Sequence, residues 1–186
     1  MSDILEELIG RQFEIARGEA EALPLPRFDT YTICNLRGGI GKTSLAFNLA
    51  YLTDEILAVD TCPQCNLSWF FDNNYLQNVQ LTVYDMLLPP FVPGLGSASR
   101  IARSIAATND FFEGKRAFYL PSDNHLYILP SQIATAMVQA QRMTGSLQES
   151  IIDAMLFSLR DDIRREMQET GTKRCIIDTS PFFSGA

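Results

Sequence analysis

Arg37-Gly38-Gly39-Ile40-Gly41-Lys42-Thr43-Ser44 sets three glycines, a lysine and two hydroxyls between a β-branched run and a helical pattern. Glycines in such a loop let backbone N–H groups approach a phosphate, the helix N-terminus adds partial positive charge, and Lys42 supplies a full one. Thr43 follows with a hydroxyl at the position that ligates Mg²⁺ in phosphate-binding loops. The generic spacing asks for glycine at position 36, where this chain has Leu36, so the pattern departs by one residue. Two carboxylates, Asp60 and Asp178, each close a short apolar run. Runs of that kind suggest parallel strands buried on both faces, with their carboxyl ends at a shared site. Directly after Asp60 comes Cys62-Pro63-Gln64-Cys65. Its spacing serves dithiol redox sites and half of a zinc or iron–sulfur site. His125, the only histidine, is distant in sequence. The pair therefore reads first as two small loop residues, and second as a metal or redox site completed by the same loop of a second chain.

The elements that position these residues alternate. Thr30 to Leu36 reads as a strand and Thr43 to Leu52 as a helix, with Leu45, Leu49 and Leu52 at helical spacing. Glu55 to Asp60 and Lys173 to Asp178 read as further strands, and Leu126 to Leu129 as another, followed by helices over Gln132 to Arg142 and Leu147 to Glu169. This is an α/β pattern with a mostly parallel sheet flanked by helices. Residues 89–123, rich in Pro, Gly and Ser, read as a long excursion with one short helix near Ser99 to Ala107. Residues 2–21 place Ile4, Leu5, Leu8, Ile9, Phe13 and Ala16 on one face of an amphipathic helix. Leu23-Pro24-Leu25-Pro26 ends it, which makes 1–27 an N-terminal helix and linker and 28–186 the domain. The helix is expected either to dock on its own domain or to meet a partner.

Composition narrows the class. The 186 residues are 46% hydrophobic and 20% charged, which excludes disorder, a collagen-like repeat and a coiled-coil rod. Apolar stretches fall far short of the ~20 residues of a membrane-spanning helix. Asp3, Glu6 and Glu7 stand where a signal peptide needs positive charge, so residence in the cytoplasm is expected. There Cys34, Cys62, Cys65 and Cys175 read as reduced thiols, with Cys34 and Cys175 in the core. Fifteen basic residues against 22 acidic ones give a net charge of −7, so nucleic-acid contact requires a local patch. Arg160, Arg164 and Arg165, interleaved with Asp161, Asp162 and Glu166, read as a solvated, ion-paired helix face.

Asn35 to Ser44 resembles the deviant Walker A loop of the ParA and MinD ATPases, Lys-Gly-Gly-x-Gly-Lys-Thr, with Arg37 at the signature lysine. The resemblance continues through Asn48-Leu49-Ala50 and Ala58 to Ser68, which looks like the family's Asp-x-Asp-Pro-Gln-Gly-Asn-Leu segment. Thr82 to Leu87, Leu126 to Ser131 and the Walker B-like Cys175 to Pro181 follow in order. It implies a P-loop NTPase fold that binds ATP and Mg²⁺ through Gly38, Gly39, Ile40, Gly41, Lys42, Thr43 and Ser44, with Thr43 and Asp178 serving the metal. It further implies catalytic roles for Arg37, Lys42 and Asp60, with Arg37 reaching phosphate across an ATP-dependent homodimer. Plasmid or chromosome partitioning or intracellular positioning, with DNA and an adaptor protein as partners, belongs to the same implication.

Cys62 stands where the family has its second aspartate, the one that positions the attacking water. A thiol is a poor substitute for that carboxylate, so hydrolysis is expected to be slow while binding persists. The resembled fold continues with further strands, so this chain reads as its N-terminal part, with one side of the sheet left uncovered. Two alternatives use the same residues: a nucleotide-gated metal or redox protein built on Cys62-x-x-Cys65 across a dimer, and a non-catalytic partner-binding module.

Overall fold

The structure is a computed structural model, and it describes residues 2–21, 28–35, 37–78, 80–92, 95–96, 98 and 100–180. In chain order the elements are α1 (Ser2–Ala16), β1 (Thr30–Ile33), α2 (Lys42–Leu52), β2 (Ile56–Asp60), α3 (Asn66–Phe71), α4 (Tyr75–Asn78) and α5 (Val83–Leu87). They continue as β3 (Arg103–Ser104), β4 (Ala117–Leu120), α6 (Leu129–Gln141), α7 (Ser146–Thr170) and β5 (Arg174–Asp178). Among the described residues five strands form one sheet in the order β1-β5-β2-β4-β3. All pairings are parallel except that of β3 with β4.

Alternation along the strands divides the core into two layers. Ile56 and Ala58 of β2, Ile176 of β5, and Ala117 and Tyr119 of β4 pack with Ala46 and Ala50 of α2 and Leu67 and Phe71 of α3. Leu57 and Val59, Cys175 and Ile177, and Leu120 face the other way, against Val83 and Met86 of α5, Leu129 of α6 and Ile163 of α7. Every residue of β2 is buried, which is the burial expected of a central parallel strand covered on both faces. β1 stands at the sheet edge with Thr30, Tyr31 and Thr32 exposed.

Four sequence expectations are corrected. Leu126 to Leu129 is not a strand: Asp123 accepts from the His125 N–H at 2.6 Å, starting a 3-10 turn over Asn124–Tyr127, and Pro130 sits in the first turn of α6. The missing strand is β4, inside the supposed excursion, so 89–123 contributes to the sheet. In place of a helix near 99–107, Arg103–Ser104 pairs with β4 and Ile105–Ala107 makes a 3-10 turn, with Ser99 outside the described residues. Buried Glu166 of α7 holds this segment, accepting from the backbone N–H of Ile101 (3.2 Å) and Ala102 (3.0 Å). Cys34 is exposed, because β1 ends at Ile33, whereas Cys175 is buried as expected.

The N-terminal helix forms as α1, on which Ile9 and Phe13 are exposed. The proline linker falls on residues 22–27, and Leu36 and Pro181 of the motifs likewise lie outside the described residues.

Candidate functional site

The carboxyl ends of β1, β5 and β2 meet in register. Ile33 lies opposite Asp178, and Asp178 opposite Asp60. Parallel pairing therefore brings residues 118 positions apart in the chain, Asp60 and Asp178, side by side above the loop that leads from β1 into α2. In that loop Gly39 has φ 72° and Gly41 φ 87°, left-handed conformations that glycine adopts without penalty. Gly41 is the N-cap of α2, and its carbonyl accepts the first helical bond from the Leu45 N–H at 2.8 Å.

A cleft of about 450 Å³ opens over this helix start. Gly39, Gly41, Lys42, Thr43 and Ser44 line one side, and Cys62, Gln64, Asn66 and Thr179 line the other. Gly38, Ile40 and Arg37 are exposed on the loop outside it. Lys42 is buried to 9% exposure, and its ammonium has only a long bond, 3.5 Å, to the Arg37 carbonyl. So weak a tether is readily exchanged for an oxyanion.

Thr43 Oγ1 donates to Asp178 Oδ2 at 2.8 Å. Asp178 is fully buried, yet its Oδ1 has no hydrogen-bond partner. Burial pushes its carboxyl above the usual range, opposed by the Thr43 hydroxyl and the Lys42 charge. An orphaned buried carboxylate oxygen beside a threonine hydroxyl is a set of hard oxygen donors, which suits Mg²⁺ and its retained waters. The residues present therefore fit the metal that the sequence implies.

Asp60 has a different setting. Its Oδ1 accepts from the Cys62 N–H (3.0 Å), and its Oδ2 from both the N–H (2.9 Å) and the hydroxyl (2.8 Å) of Ser68. It does not line the cleft. Burial nonetheless lifts its carboxyl to about 7, outweighing the Ser68 and Cys62 donors, with nearby Asp178 adding to the rise. Ser68 Oγ in turn accepts from the Ser122 N–H (2.9 Å), and Ser122 Oγ donates to the Cys62 carbonyl (2.6 Å). Asp60 is thus the anchor of the 61–68 loop that walls the cleft. Ser122 carries no motif in the sequence, and only the pairing of β4 beside β2 reveals it.

Cys62 and Cys65 are both buried, at 4% and 5% exposure. Among the described residues no group of three or more His, Cys, Asp or Glu side chains could hold a metal, so one chain does not complete a thiol metal site. His125 is exposed and bonds Asp123 at 2.6 Å. Arg160 pairs with Asp161 at 2.8 Å on an exposed stretch, as expected, whereas Arg165 is half-buried and pairs at 2.6 Å with buried Asp162, and Glu166 is buried as well, so the face is ion-paired but not solvated throughout. No helix among the described residues is long and apolar enough to cross a membrane.

The family model of AAA_31, described as an AAA domain, matches residues 29–184. No curated protein sequence matches the chain. Among solved structures, cobyrinic acid a,c-diamide synthase from Mycobacterium smegmatis, with bound ATP analogue and magnesium, superposes with TM-score 0.53 at 19% identity over 84% of this chain and 52% of that one. A Corynebacterium diphtheriae protein gives 0.56 at 21% identity, covering 84% and 54%. A plasmid partition protein from Borrelia burgdorferi gives 0.52 at 14%, covering 84% and 57%. At these identities the likeness is one of fold, and the chain spans about half the length of the structures it matches. The sheet order, the glycine loop and the match over 29–184 agree: the chain belongs to the AAA_31 family and has the P-loop fold that its resemblance to the ParA/MinD type implies.

Proposed function

We propose that this chain binds ATP with Mg²⁺ and serves as a ParA-like dimerisation switch with slow hydrolysis. The observation that supports it best is the Thr43–Asp178 bond at 2.8 Å beneath the glycine loop, with Asp178 Oδ1 unpartnered. Gly38 to Gly41 and Ser44 would cradle the phosphates with backbone N–H groups, and Lys42 would exchange its carbonyl contact for a phosphate oxygen. Mg²⁺, when bound, supplies charge neutralisation at the phosphates. Thr43 would ligate it and Asp178 would hold its water shell.

Arg37 lies exposed beside the cleft, free to reach a facing subunit. Its planar fork differs from the ammonium of the family's signature lysine, so the cross-subunit contact has its own geometry. Cys62 lines the cleft where the family places an aspartate, and burial pushes its thiol above the ordinary value, so it stays protonated. A neutral thiol does not orient a water as a carboxylate does, which favours a long-lived ATP state. Partitioning or positioning of a cargo, with DNA and an adaptor as partners, extends this reading by family resemblance. Sedimentation velocity with and without a slowly hydrolysed Mg-ATP analogue tests the switch. The expected result is a monomer that becomes a dimer with nucleotide, a shift absent in Lys42→Ala; wild-type protein of one size in both conditions contradicts it.

A further inference from the structure

The 61–68 loop carries a second chemistry that ATP binding does not use. Two features of its sequence meet there: the carboxylate of the resembled segment is replaced by Cys62, and its glycine by Cys65. Cys65 keeps a glycine-like backbone, with φ 59° and ψ 24°, a left-handed conformation that an L residue adopts only at a cost. The Cys65 N–H donates to the Cys62 carbonyl at 2.8 Å, which closes a tight turn. The ends of such a turn lie within roughly 7 Å, Cα to Cα, and a disulfide spans about 4.4–6.8 Å. Neither thiol belongs to a metal-binding cluster among the described residues; Cys65 Sγ makes a 3.5 Å contact with the Pro63 carbonyl and further hydrogen bonds with Tyr75 and Ser122, and Cys62 meets the Gln64 backbone and Ser180.

We propose that Cys62 and Cys65 form a reversible intramolecular disulfide in the folded protein, a redox modification site in the wall of the phosphate cleft. The reaction is thiol–disulfide exchange with a low-molecular-weight disulfide such as oxidised glutathione. One cysteine thiolate attacks a sulfur of that disulfide and expels one glutathione thiolate, leaving a mixed disulfide. The second cysteine thiolate then displaces the other glutathione. Two protein thiols are oxidised, one small disulfide is reduced to two thiols, and the two protons pass to the leaving glutathiones. Burial pushes both thiols up, so exchange proceeds through local opening of the loop and is slower than reaction at exposed Cys34. The cross-link changes the cleft directly, because Cys62 and the enclosed Gln64 both line it, while the Cys62 backbone is tied to Asp60 and Ser122.

The test uses the full chain carrying Cys34→Ser, so that the exposed thiol forms no adducts. Native protein is equilibrated with oxidised glutathione, trapped by alkylation in denaturant and read by intact mass and peptide mapping. The expected result is loss of two hydrogens and of alkylation at Cys62 and Cys65 together, with a linked 62–65 peptide. Dithiothreitol should reverse it, and Cys62→Ser and Cys65→Ser should each abolish it. A parallel sample oxidised in denaturant shows that the reagent can form the link. Both thiols remaining alkylatable in the native protein overturn the proposal, as do glutathione adducts on single cysteines without the link.

Discussion

At the scale of single residues, the proposed function has Cys62 separating binding from turnover. On that reading Lys42, Thr43 and Asp178 would act on ground and transition states alike, whereas the missing carboxylate would act on the attack of water. Cys62→Asp is therefore expected to raise single-turnover ATP hydrolysis by roughly 10-fold to 100-fold with little change in affinity. Wild-type protein as fast as the variant would show that another group positions the water; Arg37→Lys in the same background tests whether the cross-subunit cation limits the rate instead. Asp60 makes a different prediction. Its carboxyl titrates near 7 in the fold against about 4 when unfolded. Between those values the native state holds the extra proton, so stability falls as pH rises from about 4 to about 7 and then levels. The full penalty above pH 7 is on the order of 4 kcal/mol. Asp60→Asn, itself destabilised by facing two Ser68 donors, should flatten that slope in thermal melts taken from pH 5 to pH 8. An unchanged slope would mean that Asp60 is not the titrating group.

At the scale of elements, the buried clamp of Glu166 on residues 101 and 102 fixes how the segment before β3 packs on α7. Glu166→Ala strands two backbone N–H groups and is expected to cost about 3 kcal/mol in urea unfolding, with Glu166→Gln, which keeps one acceptor, costing less. Equal stability of wild type and the alanine variant would remove the clamp from the account. What the sequence showed of these elements follows physical rules. β2 and β5 were legible because continuous apolar runs ending in aspartate have few other readings, and the glycine loop because its residue types are dictated by phosphate chemistry. β4 was not legible: it is four residues long, flanked by Lys115-Arg116 and Pro121, inside a Pro- and Gly-rich stretch. Leu126 to Leu129 misled because an apolar run of four carries no period, and the decisive features are the Asp123 cap and Pro130. The Asp60–Ser68–Ser122 network was hidden for a further reason, since only strand pairing brings residue 122 to residue 68.

At the scale of the molecule, the proposed function is placed at one end of the sheet, beside its β1 edge. The edge strand β1, with Tyr31 and Thr32 exposed, leads into the glycine loop. The end gathers Asp178, Thr43 and Lys42 beneath the cleft, and the central claim is that this group holds a magnesium nucleotide. Calorimetric titration with a slowly hydrolysed ATP analogue, with and without Mg²⁺, tests it most directly. The account predicts saturable one-to-one binding that Mg²⁺ tightens in the wild type, loses that tightening in Thr43→Val, and disappears in Lys42→Ala. Wild-type heats no larger than those of Lys42→Ala, or affinity that Mg²⁺ leaves unchanged, would contradict it.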